Sequence, residues 1–344
     1  MRAVVVRRHG GLEALGFEEV PDPTPGPNDA LVEVRACGVN HLDLWVRKGV
    51  PGHAFPLPII PGCDLAGVVR QVGSEVRGVA PGMEMLALPG IGCGACRPCS
   101  LGNDHLCRDY GILGETRDGG YAPLVALPAE NLLAIPTGVS FEEAAAFPLA
   151  FLTAWHMLVV RAQLQPGEDV LVHAAGSGVG SAAVQIAVLI GARVIATAGS
   201  DAKLTRAKEL GASDGINYRT ADFAREVSRL TGKRGVDVVV EHVGEATWEG
   251  SLRSLAKGGR LVTCGATSGP KGEIHLPRLF FKSISILGST MGSRGELHQI
   301  VRLVGERKLK PIVDRVLPLS EVREAHRILE EREQFGKIVL TPGE

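Results

Sequence analysis

Residues 170–187 read VLVHAAGSGVGSAAVQIA, and this stretch decides the fold. An apolar run enters the glycine-rich turn Ala175-Gly176-Ser177-Gly178-Val179-Gly180, and a small-residue helical pattern leaves it. Small residues let a backbone come close to a pyrophosphate, and a helix N-terminus offers free N–H groups and a partial positive charge. A glycine motif alone says little. Here a strand precedes it, a helix follows, and a second apolar run comes at 193–198 (RVIATA). Ser177, Gly178, Val179 and Gly180 are therefore expected to hold a dinucleotide phosphate.

Outward from this turn the pattern repeats. The runs at 236–244 (VDVVVEHVG) and 260–266 (RLVTCGA) alternate with helical segments, which reads as βαβ units around a parallel sheet buried on both faces. The first 140 or so residues differ. Short runs at 2–8, 30–37, 67–73 and 84–88 are separated by PDPTPGPND and VAPGM, as in an irregular β domain. The expected class is α/β: a mostly-β domain over 1–145 and 291–344, and a doubly wound dinucleotide-binding domain over 146–290. The closing run GKIVLTP is expected to return as a strand to the first domain.

The acidic residue that would bind the ribose 2′-hydroxyl of NAD is missing where the second strand ends. Ala198, Gly199 and Ser200 stand there, and Asp201 reads as the cap of the next helix. Ser200, Lys203 and Tyr218 can instead surround a 2′-phosphate, so NADP(H) is expected over NAD(H). A solvated helix position is the competing reading of Lys203.

Residues 93–107 read CGACRPCSLGNDHLC. Cys93, Cys96, Cys99 and Cys107 can close a four-thiolate shell around one Zn2+ per chain, leaving no position for water or substrate. Such a shell is structural. An iron–sulfur cluster is the alternative. The other cysteines, Cys37, Cys63 and Cys264, leave an odd total of seven, a poor basis for a disulfide framework in so long a chain.

Over 344 residues the formal net charge is −1, which argues against a nucleic-acid or anionic-membrane partner. The N-terminus lacks the apolar core of a secretion signal. The apolar stretch 144–160 is short for a membrane span and contains Pro148, Thr153 and His156. A cytoplasmic protein acting on a small molecule is expected.

Taken together, CGVNHLD at 37–43, PGCDLAGVV at 61–69, the cysteine loop, AGSGVG at 175–180, KELGA at 208–212 and GKIVL at 336–340 resemble the medium-chain dehydrogenase/reductase superfamily, the zinc alcohol dehydrogenases and quinone reductases. The resemblance implies a GroES-like substrate domain, a Rossmann domain, an active site in the cleft between them and a homodimer or homotetramer. It also implies roles for residues. His41 matches a position touching the cofactor pyrophosphate, and Thr153 one near the nicotinamide. Cys264-Gly265 and Gly288-Ser289 border the cofactor, with Gly265 and Ser289 as the residues in reach.

The resemblance breaks at the catalytic metal. Where the alcohol dehydrogenases carry Cys, His and Cys, this chain has Asn40, Cys63 (in Gly62-Cys63-Asp64) and Leu149. The reaction expected is hydride transfer to a quinone, enone or reactive carbonyl without catalytic zinc. Asn40 is then the amide donor to the developing oxyanion, and Asp43 orients its loop. The alternatives are a zinc-dependent alcohol dehydrogenase with a non-standard site around Cys37, His41, Cys63 and Asp64, and a nucleotide-binding sensor without turnover. His53 reads as an exposed loop residue, and Trp45 as either a pocket wall or core.

Overall fold

The computed structural model describes residues Met1–Gly343, which divide into two compact units. One comprises Met1–Leu149, Ser293–Arg307 and Pro311–Glu344, the other Ala150–Gly292 with Lys308–Lys310. The boundaries fall at 149/150 and 292/293, a few residues from those expected. The helix Pro148–Trp155 spans the first of them.

The second unit is built on six parallel strands: β1 (Asp169–Val172), β2 (Arg193–Ala198), β3 (Asp214–Asn217), β4 (Val236–Glu241), β5 (Leu255–Thr263) and β6 (Ser285–Gly288). Their order across the sheet is β3-β2-β1-β4-β5-β6, the doubly wound arrangement with its switch point between β1 and β4. The strands are buried on both faces because helices cover both, hence their near-continuous apolar runs. Leu171, Ile195, Val239 and Leu261 meet in one of its cores.

The helix Gly178–Ile190 starts at the glycine turn with Ser177 as its N-cap, the side chain accepting from Gly180 N at 2.9 Å. Gly180 has a steric reason to be glycine. A Cβ there would lie 2.2 Å from the Ala174 carbonyl oxygen, so the helix can sit this close to the end of β1 only without one.

In the first unit the strands Val313–Pro318, Lys337–Thr341, Asp29–Gly38, Asp64–Val72, Glu84–Ala87 and Leu132–Ala134 lie side by side in that order, and Leu124–Pro128 also pairs with Asp29–Gly38. The C-terminal strand does return to the first unit. It pairs antiparallel with Asp29–Gly38, Val339 opposite Gly38, and Gly38 faces Asp64 on its other side. That register decides the site, because it sets Lys337, Asn40 and Asp64 next to one another although they are far apart in the chain. No helix among the described residues is long and apolar enough to cross a membrane. The stretch 144–160 is broken instead into Phe141–Ala145, Pro148–Trp155 and a π-helical turn at His156–Arg161.

Candidate functional site

At the end of Asp29–Gly38 the chain turns into the helix His41–Lys48, with Asn40 as N-cap. Asp43 reaches back to accept the Asn40 N–H at 2.7 Å, and its other oxygen accepts from Gly62 N at 3.2 Å. The Tyr121 hydroxyl donates to it as well, at 3.0 Å. Asp43 thus ties the Asn40 turn to the Gly62-Cys63-Asp64 turn. Burial lifts its carboxyl to about 6, while the Asn40 N–H and the Lys337 ammonium pull it down.

Behind Asp43 runs a buried chain of partners. Arg47 donates to His326 Nδ1 at 3.3 Å, so the ring proton sits on Nε2 and points to Tyr121 Oη, 3.3 Å away, whose own hydrogen goes to Asp43. Arg47 also bonds Glu330 at 2.5 Å. Burial, aided by Arg47, depresses His326 to about 3, so the ring is neutral.

Asn40 is buried and its side chain is fully engaged. Nδ2 donates to Asp64 Oδ2 at 2.9 Å and lies 3.3 Å from Cys63 Sγ, while Oδ1 accepts from Lys337 Nζ. This differs from the expectation that the amide hydrogens point at substrate. The sheet register brings Asp64 and Cys63 to them first. Lys337 Nζ also lies 3.3 Å from Asp64 Oδ2, and Asp64 Oδ1 accepts from Leu149 N at 2.8 Å. Cys37 and Cys63 are buried thiols, held far above their ordinary range first by burial and then by nearby carboxylates.

At the three positions where the alcohol dehydrogenases carry zinc ligands, Leu149 offers no ligand atom, burial raises the Cys63 thiol, and the Lys337 ammonium bonds Asn40 and lies against Asp64. Cys37, His41, Cys63 and Asp64 do not gather into a metal-sized group. Among the described residues only the cysteine loop does so.

There the four sulfurs of Cys93, Cys96, Cys99 and Cys107 lie within 4.8 Å of one another. A tetrahedral zinc with bonds of ~2.3 Å needs sulfurs about this close. The N–H groups of Cys93 and Cys96 point at Cys107 and Cys93 Sγ, each at 3.4 Å. The loop's other anchor is Asp104, which accepts from Arg294 N at 3.0 Å. Cys96→Ser is expected to abolish zinc binding, measured by metal analysis, and to lower the first unit's melting temperature while sparing cofactor affinity.

In the second unit the expected cofactor residues gather just beyond the carboxyl ends of the parallel strands, where open α/β sheets bind ligands. Ser177 to Gly180 follow β1, Ser200 and Lys203 follow β2, Tyr218 follows β3, Gly265 follows β5, and Ser289 follows β6. Thr153 is buried in Pro148–Trp155, and His41 opens its helix in the first unit. Ser289 Oγ is buried with no hydrogen-bond partner among the described residues. Ser200, not Asp201, is the N-cap of Asp201–Glu209, accepting from Lys203 N, and Asp201 accepts from Asn217 Nδ2 at 2.9 Å.

The sequence reading missed Arg219. A Cβ on Gly199 would meet Tyr218 Oη at 2.7 Å and Arg219 Nε at 3.3 Å, so the hydroxyl and the guanidinium both lie against the end of β2. An arginine next to Tyr218 was the available signal. His53 is half-exposed and near Glu115, and Trp45 is also partly exposed, so neither is core.

Comparisons with known proteins agree with this architecture. Residues 26–137 match the alcohol dehydrogenase GroES-like domain, and 178–306 match the zinc-binding dehydrogenase family. A zinc-type alcohol dehydrogenase-like protein of Schizosaccharomyces pombe is 33% identical, over 99% of this chain and 99% of that protein. A quinone oxidoreductase of Pongo abelii is 30% identical, over 99% and 97%. The crystal structure of an NAD-dependent alcohol dehydrogenase superposes with a TM-score of 0.96 at 53% identity, covering 100% of both chains. The GroES-like and Rossmann units, the cysteine loop and these full-length likenesses make the chain an oxidoreductase of the medium-chain dehydrogenase/reductase superfamily, to which the zinc-type alcohol dehydrogenases and quinone oxidoreductases belong.

Proposed function

We propose that this enzyme uses NADP(H) to reduce a conjugated carbonyl, a quinone or an α,β-unsaturated ketone, without a catalytic zinc, and that its one zinc is structural. The observation that carries this reading is the closed network of Asn40, Cys63, Asp64 and Lys337 at the positions where zinc ligands are expected. A conjugated acceptor suits such a site. Incoming charge spreads to an oxygen, so hydrogen-bond donors can stabilise it without a Lewis acid.

The reduced nicotinamide, when bound, supplies the hydride. The chain's own residues do the rest. The N-terminus of Gly178–Ile190 receives the pyrophosphate, with Gly180 keeping the helix close to β1. His41, Thr153, Gly265 and Ser289 border the remaining cofactor. Asp43 holds the two turns that shape the acceptor's side.

Ser200, Lys203, Tyr218 and Arg219 recognise the 2′-phosphate. The acidic alternative, Asp201, is turned to Asn217. Arg219→Ala is expected to raise the KM for NADPH tenfold or more, since a charge-assisted contact contributes about 1.5–3 kcal/mol, and to leave that for NADH nearly unchanged. Equal effects on both would remove Arg219 from phosphate recognition.

The reading is tested by a panel of 2-cyclohexenone, menadione and primary alcohols with each nicotinamide. Turnover of either conjugated acceptor with NADPH supports it. Turnover of alcohols alone, or cofactor binding with no turnover, overturns it.

A further inference from the structure

We propose that Thr197 is a positioning residue for the dinucleotide: its hydroxyl heads a one-way series of hydrogen bonds that ends on the buried Glu241 carboxylate, and it holds Ala174 in the left-handed conformation from which the glycine turn opens toward the phosphates. The inference rests on the reading of that turn as the phosphate site and deepens it.

The backbone supplies the first observation. Ala174 stands between β1 and the glycine turn at φ +44°, a region that a residue with a Cβ enters only at a cost. Its carbonyl oxygen accepts from Ser177 N at 2.8 Å and is the atom that a Cβ on Gly180 would strike. The direction of this one carbonyl sets where the helix Gly178–Ile190 can begin. The other side of Ala174 is held from β2. Thr197 Oγ1 accepts from Ala174 N at 3.3 Å, and Thr197 O accepts from Ala175 N at 2.9 Å.

The second observation lies behind the Thr197 hydroxyl. Its oxygen is 3.1 Å from His173 Nδ1, and His173 Nε2 is 2.9 Å from Ser251 Oγ, which donates to Glu241 Oε2 at 2.7 Å. All four side chains are buried. Counting hydrogens fixes the direction. Ser251 gives its one hydrogen to a carboxylate, which can only accept, so it must itself accept from His173 Nε2. Burial depresses His173 to about 4, so at neutral pH the ring is uncharged and its Nδ1 is bare. Thr197 then gives its hydrogen to Nδ1 and turns a lone pair to the Ala174 N–H. No member can rotate away without stranding a buried neighbour.

The third observation is where the series ends. Glu241 closes β4, the neighbour of β1 at the switch point. Its Oε1 accepts from Val243 N at 2.7 Å and Gly244 N at 3.0 Å, and His242 Nε2 donates to His173 O at 2.9 Å. One carboxylate thus fixes the turn after β4 and, through Ser251, His173 and Thr197, the turn after β1. These are the two sides of the crevice in which open α/β sheets bind their ligands.

Fluorescence titration of NADPH and NADH tests the proposal. Thr197→Val keeps the shape of the side chain and loses the hydroxyl. Its Kd is expected to rise about tenfold, the order set by the strain of a left-handed alanine, and equally for both nucleotides. Thr197→Ser keeps the hydroxyl and is expected to stay within about threefold of wild type. The double variant Thr197→Val/Ala174→Gly is expected to return to within about threefold of Ala174→Gly alone, because glycine takes this conformation without being held. A role in packing alone gives no such recovery. Thr197→Ala, read in the same way, serves if the valine variant does not fold.

Wild-type affinity in the folded Thr197→Val variant, or a loss that Ala174→Gly does not recover, overturns the assignment. Gly180→Ala separates that result from failure of the reading beneath it. If Gly180→Ala weakens both nucleotides while Thr197→Val weakens neither, the phosphate site stands and Thr197 does not position it. If Gly180→Ala leaves binding unchanged, the helix end is not the phosphate site and both fall.

Discussion

Asp43→Ala is expected to be the most destabilising single substitution near the site. It strands three donors at once: the Asn40 N–H, the Gly62 N–H and the Tyr121 hydroxyl. A buried donor without a partner costs about 1–3 kcal/mol, so the sum is at least about 3 kcal/mol, or a melting temperature lower by roughly 6–12 °C. Turnover should fall with it, because the turns carrying Asn40 and Cys63-Asp64 lose their common anchor. Asp43→Asn should be milder, since its oxygen can still accept from Asn40 while its amide meets a second donor at Gly62.

The pH dependence has a definite sign. Asp43 in the folded protein titrates at about 6 instead of 3.8, so between those values the native state holds the proton more tightly, and stability falls as pH rises through that window. His326 acts oppositely. Its native value of about 3 lies below 6.5, so acidification through that range favours the unfolded chain. Without Asp43 the opposing contribution is gone, and the Ala variant should lose stability more steeply than wild type from pH 6 to pH 4. Thermal melts across pH check both statements. A variant within about 1 kcal/mol of wild type at pH 7, with an unchanged slope, would count against the anchoring role.

The second large effect is expected at Gly180→Ala. The added carbon would stand 2.2 Å from Ala174 O and 2.9 Å from Ala175 Cα. Neither is a flexible side-chain end, so the helix Gly178–Ile190 must move off β1. Overpacking of this kind costs about 1–3 kcal/mol, and the displaced N–H groups should raise the NADPH Kd by roughly tenfold or more. Fluorescence titration measures it. Wild-type affinity in the variant would remove this helix end from phosphate binding.

The legible parts of this protein are those written locally. AGSGVG between a strand and a helix announces the Rossmann unit, because close approach there needs glycine within a few residues. The cysteine loop is legible for the same reason, its ligands lying within fifteen residues of chain. The missing zinc ligands at 40, 63 and 149 could be read by position alone.

The network around these positions could not. Lys337 appears in the sequence as part of a strand, GKIVL, and only the pairing of Val339 with Gly38, and of Gly38 with Asp64, brings its ammonium to Asn40. Asn40 looked like a free donor because nothing nearby in sequence claims its hydrogens. Cys63 and Asp64, more than twenty residues on, do so. Tyr121 reaches Asp43 from far along the chain in the same way, with His326 behind it on the helix Val322–Glu330, and the side chain of Arg219 returns over Gly199.

The central claim is that an ammonium–carboxamide–carboxylate network stands in the metal's place. Its most direct test is the zinc content of the isolated wild-type enzyme, measured together with NADPH-dependent reduction of 2-cyclohexenone and menadione before and after 1,10-phenanthroline. The account predicts one zinc per chain, absent from Cys96→Ser, and acceptor reduction that chelation leaves intact. Two zincs per chain, with turnover lost when the second is stripped and regained when it is returned, would contradict it.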